Sequence, residues 1–168
     1  MGRGRCAEQS RAVGLKDATG DVTRPLRLRP RVGPQFRLLS GDDATALAFF
    51  TQGGDGCISV TSNVAPALCR NMHLAFRQGQ IATAQRAAVS LAHLTAALFR
   101  ESNPVPVKYA LSLLNLMSPK VRLPLVELSE RSKAELDAVM MQLCGEHAQD
   151  MIGGLRGPVQ ASLRVAVG

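Results

Sequence analysis

No apolar run in the 168 residues approaches the roughly 20 that a bilayer-crossing helix needs. The sequence is therefore not read as a membrane protein. The amino-terminal MGRGRCAEQS carries charge with no apolar stretch behind it, so it does not read as a secretory signal. Its other readings are a transit peptide, which Glu8 and its brevity argue against, and the end of a truncated helix. No Cys-x-x-Cys pair occurs among Cys6, Cys57, Cys69 and Cys144, and the three histidines complete no zinc pattern. No metal site is expected, and the cysteines read as reduced thiols of a cytoplasmic protein. There is one tyrosine, Tyr109.

Hydrophobic residues make up 46% of the chain, which argues for a globular fold and against disorder. The length suffices for one ordinary domain with a real core. The net charge of +7 is uneven: residues 1–40 hold eight arginines and one lysine against Glu8, Asp17 and Asp21. Nucleic acid is the obvious partner for such a segment. Yet the segment has one aromatic, Phe36, and no nucleic-acid motif. Arg24, Arg27 and Arg31, spaced by three and four, read as a solvated helix face, so no nucleic-acid partner is expected.

Up to about residue 62 the pattern alternates. Residues 12–16 read as a strand, 21–31 as a helix with Pro25 in its first turns, and 36–39 as a second strand. Residues 43–52 read as a helix stopped by Gly53-Gly54, and 57–61 as a third, β-branched strand. Alternating strand and helix is the signature of a parallel sheet. After residue 63 the rhythm is helical throughout. Leu68, Met72, Ala75 and Phe76 share one face, and Gly79 separates them from a stripe of Ile81, Ala84, Ala88, Leu91, Thr95 and Leu98. Residues 107–117 carry a third stripe. Ser132-x-x-Glu135 reads as a capping box opening a last helix that buries Leu136, Val139, Met140 and Leu143. The fold class expected is α/β, a partial (β/α)8 TIM barrel followed by a C-terminal helical domain. The expected domains are 1–78, the last three strands of a barrel, then 79–152, helical, then 153–168, a flexible tail.

Each expected strand ends in polar residues: Lys16, then Ser40-Gly41-Asp42-Asp43, then Ser59-Val60-Thr61-Ser62-Asn63. In α/β barrels the carboxyl ends of the strands carry the active site, so these clusters would converge on one mouth. A strand-end lysine is a candidate Schiff-base amine. A free lysine, with a pKa of about 10.4, is almost wholly protonated at neutral pH. A useful nucleophile wants a value of about 7–8, which burial in an apolar interior can supply. Leu15, Ile58 and Val60 are candidates for that lining.

Four strings in register, VGLKDATGD, LLSGDDATAL, GGDGCISVTSNVAP and NPVPVKYAL, together resemble the C-terminal half of the dihydrodipicolinate synthase family. VRLPLVELSE also resembles that family's segment before its last helix. The resemblance implies a class I lyase on a (β/α)8 barrel with a helical appendage, acting without metal or organic cofactor. It implies that Lys16 condenses with pyruvate, that Ile58 meets pyruvate through its main chain, and that Gly41 lines the same pocket. Thr19, Asp42 and Asn103 are implied supporting positions, Asn103 near the barrel mouth. The implied reaction joins pyruvate to aspartate-semialdehyde in lysine and diaminopimelate biosynthesis. Homo-oligomers, or pairing with a full-length copy, are implied as partners.

The family's proton-shuttling tyrosine, its helper threonine and second tyrosine, and its carboxylate-binding arginine all precede the Schiff-base lysine. Here 15 residues precede Lys16, and none is tyrosine. The chain is thus expected to be truncated or one segment of a split enzyme, and inactive alone. Two other readings stand beside it: a sibling pyruvate aldolase of the N-acetylneuraminate lyase or keto-deoxy-sugar type, and a non-catalytic interaction fragment.

Overall fold

The structure, a computed structural model, describes residues 11–147. The expectations for MGRGRCAEQS, Cys6 and the 153–168 tail lie outside the described residues. The chain packs as two compact units, one ending at Ser59 and the other beginning at Val60. The boundary expected near residue 78 falls inside the second unit.

The first unit runs β1 (Gly14–Asp17), α1 (Arg24–Val32), β2 (Arg37–Ser40), α2 (Ala46–Thr51) and β3 (Gly56–Cys57). Its sheet is parallel throughout, in the order β1-β2-β3. Gly14 stands beside Arg37 and Asp17 beside Ser40, while Leu39 stands beside Gly56. The expected alternation is present, but β3 is much shorter than the 57–61 run suggested. Its last sheet bond is from the Ile58 N–H to the Ser40 carbonyl, 2.8 Å. Beyond Ser40 the next donor of the neighbouring chain, the Gly41 N–H, bonds the Asp17 carbonyl of β1. The β-branched residues after Ile58 thus have no strand to pair with, and the chain turns into a 3-10 turn at Thr61–Asn63.

Both helices start later than expected because aspartates hold the preceding turns. The Thr23 N–H and hydroxyl donate to Asp21 at 2.9 and 2.6 Å, so α1 opens at Arg24 rather than 21. The Ala44 N–H and the Thr45 hydroxyl donate to Asp42, so α2 opens at Ala46 rather than 43. Short polar side chains compete with helix bonds in this way. The buried Leu38, 2% exposed, anchors this unit together with Phe36, Phe49 and Phe50. A leucine so buried contributes about 1.5–3 kcal/mol.

The excess of arginine has a structural use. Arg24 pairs with Asp17, and Arg27 with Asp21. Arg29 reaches the Gly33, Phe36 and Gly53 carbonyls and the Asp55 carboxylate, 2.7 Å away. Asp55 also accepts the Leu38 N–H at 2.7 Å, so one ion pair fastens the end of α1 to β2 and to the turn before β3. Burial works to raise the Asp55 pKa, but the Leu38 N–H and Arg29 outweigh it and hold it below 3.8. Of the arginines read as a solvated face, Arg24 and Arg27 are thus engaged by carboxylates.

The second unit holds α3 (Pro66–Arg77), α4 (Ile81–Leu98), α5 (Val105–Leu113) and α6 (Glu130–His147). Gly79, with φ of 74°, adopts the left-handed conformation that turns α3 back into α4. Leu68, Met72 and Ala75 of α3 are buried, as are Ala84, Leu91, Leu94 and Leu98 of α4. The stripe expected on α4 is buried at Ala84, Leu91, Thr95 and Leu98, but it is broader than expected: Ala87, Leu94 and Ala97 also lie inside, while Ile81 is exposed. The 3-10 turn is tied to α4 by a buried hydroxyl pair, Thr61 to Thr95, at 3.1 Å. α5 stops at Leu113, short of 117, and Asn115 takes a positive φ of 57°. α6 opens before the expected capping box. The Ser132 N–H donates to the Ser129 hydroxyl at 3.3 Å, so Ser129 is the cap and Ser132 lies inside the first turn. Leu136, Met140, Leu143 and Cys144 are buried, whereas Val139 is half-exposed. No helix among the described residues is long and apolar enough to cross a membrane.

Tyr109 of α5 donates to the Asp137 carboxylate of α6 at 2.9 Å. Burial first, and then this bond, push its phenol from 10.0 up to about 12. The folded state therefore favours the protonated phenol. That stabilisation is complete below pH 10 and lost as pH rises through about 12. Because Tyr109 is the only tyrosine, an alkaline ultraviolet titration reads it directly. Ionisation at an ordinary tyrosine value in the folded chain would contradict the bond. Tyr109→Phe should cost about 0.5–1.5 kcal/mol in denaturant unfolding.

Candidate functional site

Side chains alternate across a strand, so Gly14 and Lys16 face one side of the sheet while Leu15 and Asp17 face the other. The register carries this across: Lys16 shares its face with Leu39 and Gly56, and hence with Gly41 and Ile58 two residues further on. The opposite face, with Leu38, Ser40 and Asp17, is buried. The face bearing Lys16 is open: Lys16 is exposed, Leu39 is half-buried, and Ile58 is 48% exposed. Leu15 is therefore not part of a lining around Lys16, because its side chain leaves the other side of the strand.

Lys16, Gly41 and Ile58 thus gather at the carboxyl ends of three neighbouring strands. Gly41 lies between the other two, and Ile58 is level with it. A Cβ added at Gly41 would lie 2.6 Å from Lys16 Cε, 3.1 Å from Lys16 Cγ and 2.9 Å from Ala18 Cβ. The lysine stem therefore rests directly on the glycine backbone, and only glycine leaves it that room. The Lys16 amine takes no hydrogen-bond partner among the described residues. Two of the other three lysines differ in this, and the third differs only in place. Lys133 bonds Glu130 at 2.8 Å, Lys108 bonds the Lys120 carbonyl, and Lys120 is a loop residue far along the chain.

The turn after Lys16 is tied down by a group that the sequence reading passed over. Asp17 is 6% exposed. Its carboxylate accepts the Thr19 N–H at 3.0 Å, the Thr19 hydroxyl at 2.6 Å and the Arg24 Nε–H. Burial pushes the Asp17 carboxyl up, but these donors prevail and hold it below 3.8. Asp17 is thus an anion that fixes the loop, and Arg24 of α1 neutralises it. The spacing Asp-x-Thr, with an arginine in the first helical turn, was the available signal. It reads as an ordinary turn unless the partner arginine is known.

The supporting positions divide. Thr19 serves the Asp17 turn. Asp42 has both carboxylate oxygens engaged by Ala44 and Thr45, and its N–H bonds the buried Ser40 hydroxyl at 3.1 Å. Both therefore shape the loops that frame Lys16. Asn103 belongs to the second unit, exposed, just before Pro104 and α5. Among the described residues no cluster of His, Cys, Asp or Glu could hold a metal ion.

The first unit is an α/β protein that gathers a lysine, a glycine gap and an exposed isoleucine at the carboxyl edge of a parallel sheet. The family model described as the dihydrodipicolinate synthetase family matches residues 4–143, and the chain belongs to that family. It is 50% identical over 139 residues to the 4-hydroxy-tetrahydrodipicolinate synthase of Gluconobacter oxydans, covering 83% of this chain and 47% of that one. The Acidiphilium cryptum protein of the same name is 50% identical, with 83% and 48% covered. Among solved structures, dihydrodipicolinate synthase of Thermotoga maritima superposes with a TM-score of 0.78 at 34% identity, covering 82% of this chain and 48% of that one. The chloride-inhibited synthase of Acinetobacter baumannii, complexed with pyruvate, gives 0.75 at 38% identity, over 80% and 46%. The chain spans about half the length of the curated relatives it matches.

Proposed function

We propose that this chain carries the pyruvate-condensing lysine of a class I lyase of the 4-hydroxy-tetrahydrodipicolinate synthase type. The observation that carries this reading is the seat of Lys16: a strand-end amine without a protein partner, its stem lying on Gly41 beside Ile58. Relatives of that name at 50% identity support it, as does the pyruvate complex of the Acinetobacter structure. The three strands are then the last three of a (β/α)8 barrel within 1–78, and 79–152 is the family's helical domain. The compartment is the cytoplasm.

In the proposed reaction the neutral Lys16 amine adds to the ketone carbon of pyruvate. Loss of water from the resulting carbinolamine gives a protonated imine. That cation withdraws electrons, so a methyl proton leaves to a base and an enamine forms. The enamine carbon attacks the aldehyde of aspartate-semialdehyde, whose oxygen takes up a proton. The semialdehyde's amino group then displaces Lys16 from the imine carbon, which closes the product ring and frees the enzyme. Gly41 and Ile58 line the pyruvate end, and Thr19 and Asp42 hold the loops around it. Copies of the chain associate through the oligomeric contacts of the family.

Incubation with pyruvate and borohydride, followed by peptide mass mapping, tests this. Reduction should fix one pyruvate-derived group on Lys16 in preference to Lys108, Lys120 and Lys133, and Lys16→Ala should remove it. Equal labelling of all four lysines would sink the proposal.

A further inference from the structure

The turn that follows Lys16 is repeated four residues on, with one difference. Asp17 accepts the N–H and hydroxyl of Thr19 at 3.0 and 2.6 Å, and Asp21 accepts those of Thr23 at 2.9 and 2.6 Å. An arginine of α1 pairs with each, Arg24 with Asp17 and Arg27 with Asp21. Asp21 stands partly in water, its side chain 38% exposed, whereas Asp17 is buried. Burying a carboxylate costs desolvation, which the same turn avoids at Asp21. The fold of the unit does not call for that cost. The partners of the Asp17 carboxylate all lie within seven residues, while Arg29 and Asp55 make the ties that cross the unit. What the buried turn fixes is the wall beside the lysine. Ala18 lies between Asp17 and Thr19, and its Cβ is 2.9 Å from the place of a Gly41 Cβ, the point on which the Lys16 stem also closes. The Asp17 carbonyl accepts the Gly41 N–H at 2.7 Å, so turn and glycine are tied directly.

We propose that Asp17 and Arg24 are positioning residues for the Lys16 amine: their buried ion pair, through Thr19, clamps Ala18 against Gly41 and so fixes the slot in which the lysine stem lies. A reacting group must be held to within about 0.5 Å by side chains that are themselves locked. Asp17 is locked by its three donors, and they keep its carboxyl ionised in spite of burial. It acts through the backbone and not on the substrate, since its side chain leaves the opposite side of the sheet from Lys16. This inference rests on the lyase reading of Lys16 proposed above and deepens it.

The test compares two rates at Lys16 in the full chain, each read by peptide mass mapping with cyanoborohydride as reductant. One is labelling by pyruvate, and the other is methylation by formaldehyde. Formaldehyde is small enough to reach any exposed amine, so it reports access and not placement. Asp17→Asn removes the charge and leaves an amide oxygen for Thr19, and Arg24→Ala removes the partner. Each should slow pyruvate labelling about tenfold and leave methylation unchanged. Asp17→Asn strands no buried charge, so it keeps a folded chain to assay should Arg24→Ala unfold. Arg27→Ala, which removes the matching pair at Asp21, should change neither rate. Arg24→Lys keeps a cation beside Asp17 and should recover pyruvate labelling to within about threefold of wild type. No preference for Lys16 in the wild-type chain would sink the lyase reading, and this role with it. Wild-type preference retained in Asp17→Asn or in folded Arg24→Ala overturns the positioning role alone. So does an equal loss with Arg27→Ala, or a matching fall in methylation. No recovery with Arg24→Lys overturns the part given to charge.

Discussion

Gly41→Ala should lower the selective pyruvate labelling of Lys16 by about a hundredfold, the scale on which a displacement of 1 Å affects a reacting group. A Cβ at this position would stand 2.6 Å from Lys16 Cε and 2.9 Å from Ala18 Cβ. The two contacts differ in consequence. Lys16 Cε is near the tip of a flexible chain and swings away, taking the amine off the ground between Gly41 and Ile58. Ala18 Cβ is fixed to the backbone, so the turn held by Asp17 shifts by some tenths of an ångström. Overpacking of this kind costs about 1–3 kcal/mol of stability, which leaves a folded chain to assay. The φ of Gly41 imposes no demand, so the effect is steric. A Gly41→Ala chain that labels Lys16 at the wild-type rate would show that the glycine gap has no part in positioning the amine.

The alternation of strand and helix was legible because each element of the first unit carries its own signal: apolar strands, a proline-led helix, and Gly53-Gly54 after α2. The lengths were not, because they depend on partners. Ile58, Ser59 and Val60 have the composition of a strand, but β3 pairs only as far as β2 extends, and β2 ends at Ser40. Asp21 and Asp42 look like helix starters and instead hold turns, three and four residues ahead of the first helical residue. At α6 two serines three residues apart offered the same cap. Ser129 takes it: its hydroxyl accepts the Ser132 N–H and donates to Glu101, 2.6 Å away, a residue remote in sequence.

The places of Lys16 and Gly41 at the ends of β1 and β2 were legible in the sequence, Lys16 from the polar residue closing an apolar run and Gly41 from the polar string after the second one. Asp17 and Arg24 were not, because their pairing spans the turn between β1 and α1, and either residue alone is unremarkable on a polar loop. The burial of Asp17 is what turns that pair into the fastening of the lysine's strand. The surroundings of Lys16 also needed the structure. Its neighbours in sequence, Leu15 and Asp17, leave the opposite side of the sheet, whereas its neighbours in space, Gly41 and Ile58, come from the next two strands.

Assayed alone with pyruvate and aspartate-semialdehyde, the 168-residue chain should turn over at least about a thousandfold more slowly than a relative such as the Gluconobacter protein. The proposed reaction moves protons at the carbinolamine, at the methyl carbon and at the aldehyde oxygen. General acid–base catalysis of such steps contributes about 10²–10⁴-fold and wants a group with a pKa near the working pH. Tyr109 is the only tyrosine, and it is the wrong one for this. Its hydroxyl is already given to Asp137, and its phenol is pushed up to about 12, so it neither accepts nor releases a proton at neutral pH. Lys16 meanwhile stands on an open, wet face, where water competes for the imine and screens the charges that a closed site would strengthen. Imine formation at Lys16 is less demanding, since it needs fewer of these proton transfers and no second substrate, so labelling and turnover should come apart in this chain. Tyr109→Phe should leave any residual rate unchanged. Turnover matching the relative, or a rate that disappears with Tyr109→Phe, would mean that acid–base groups within these residues serve the reaction after all.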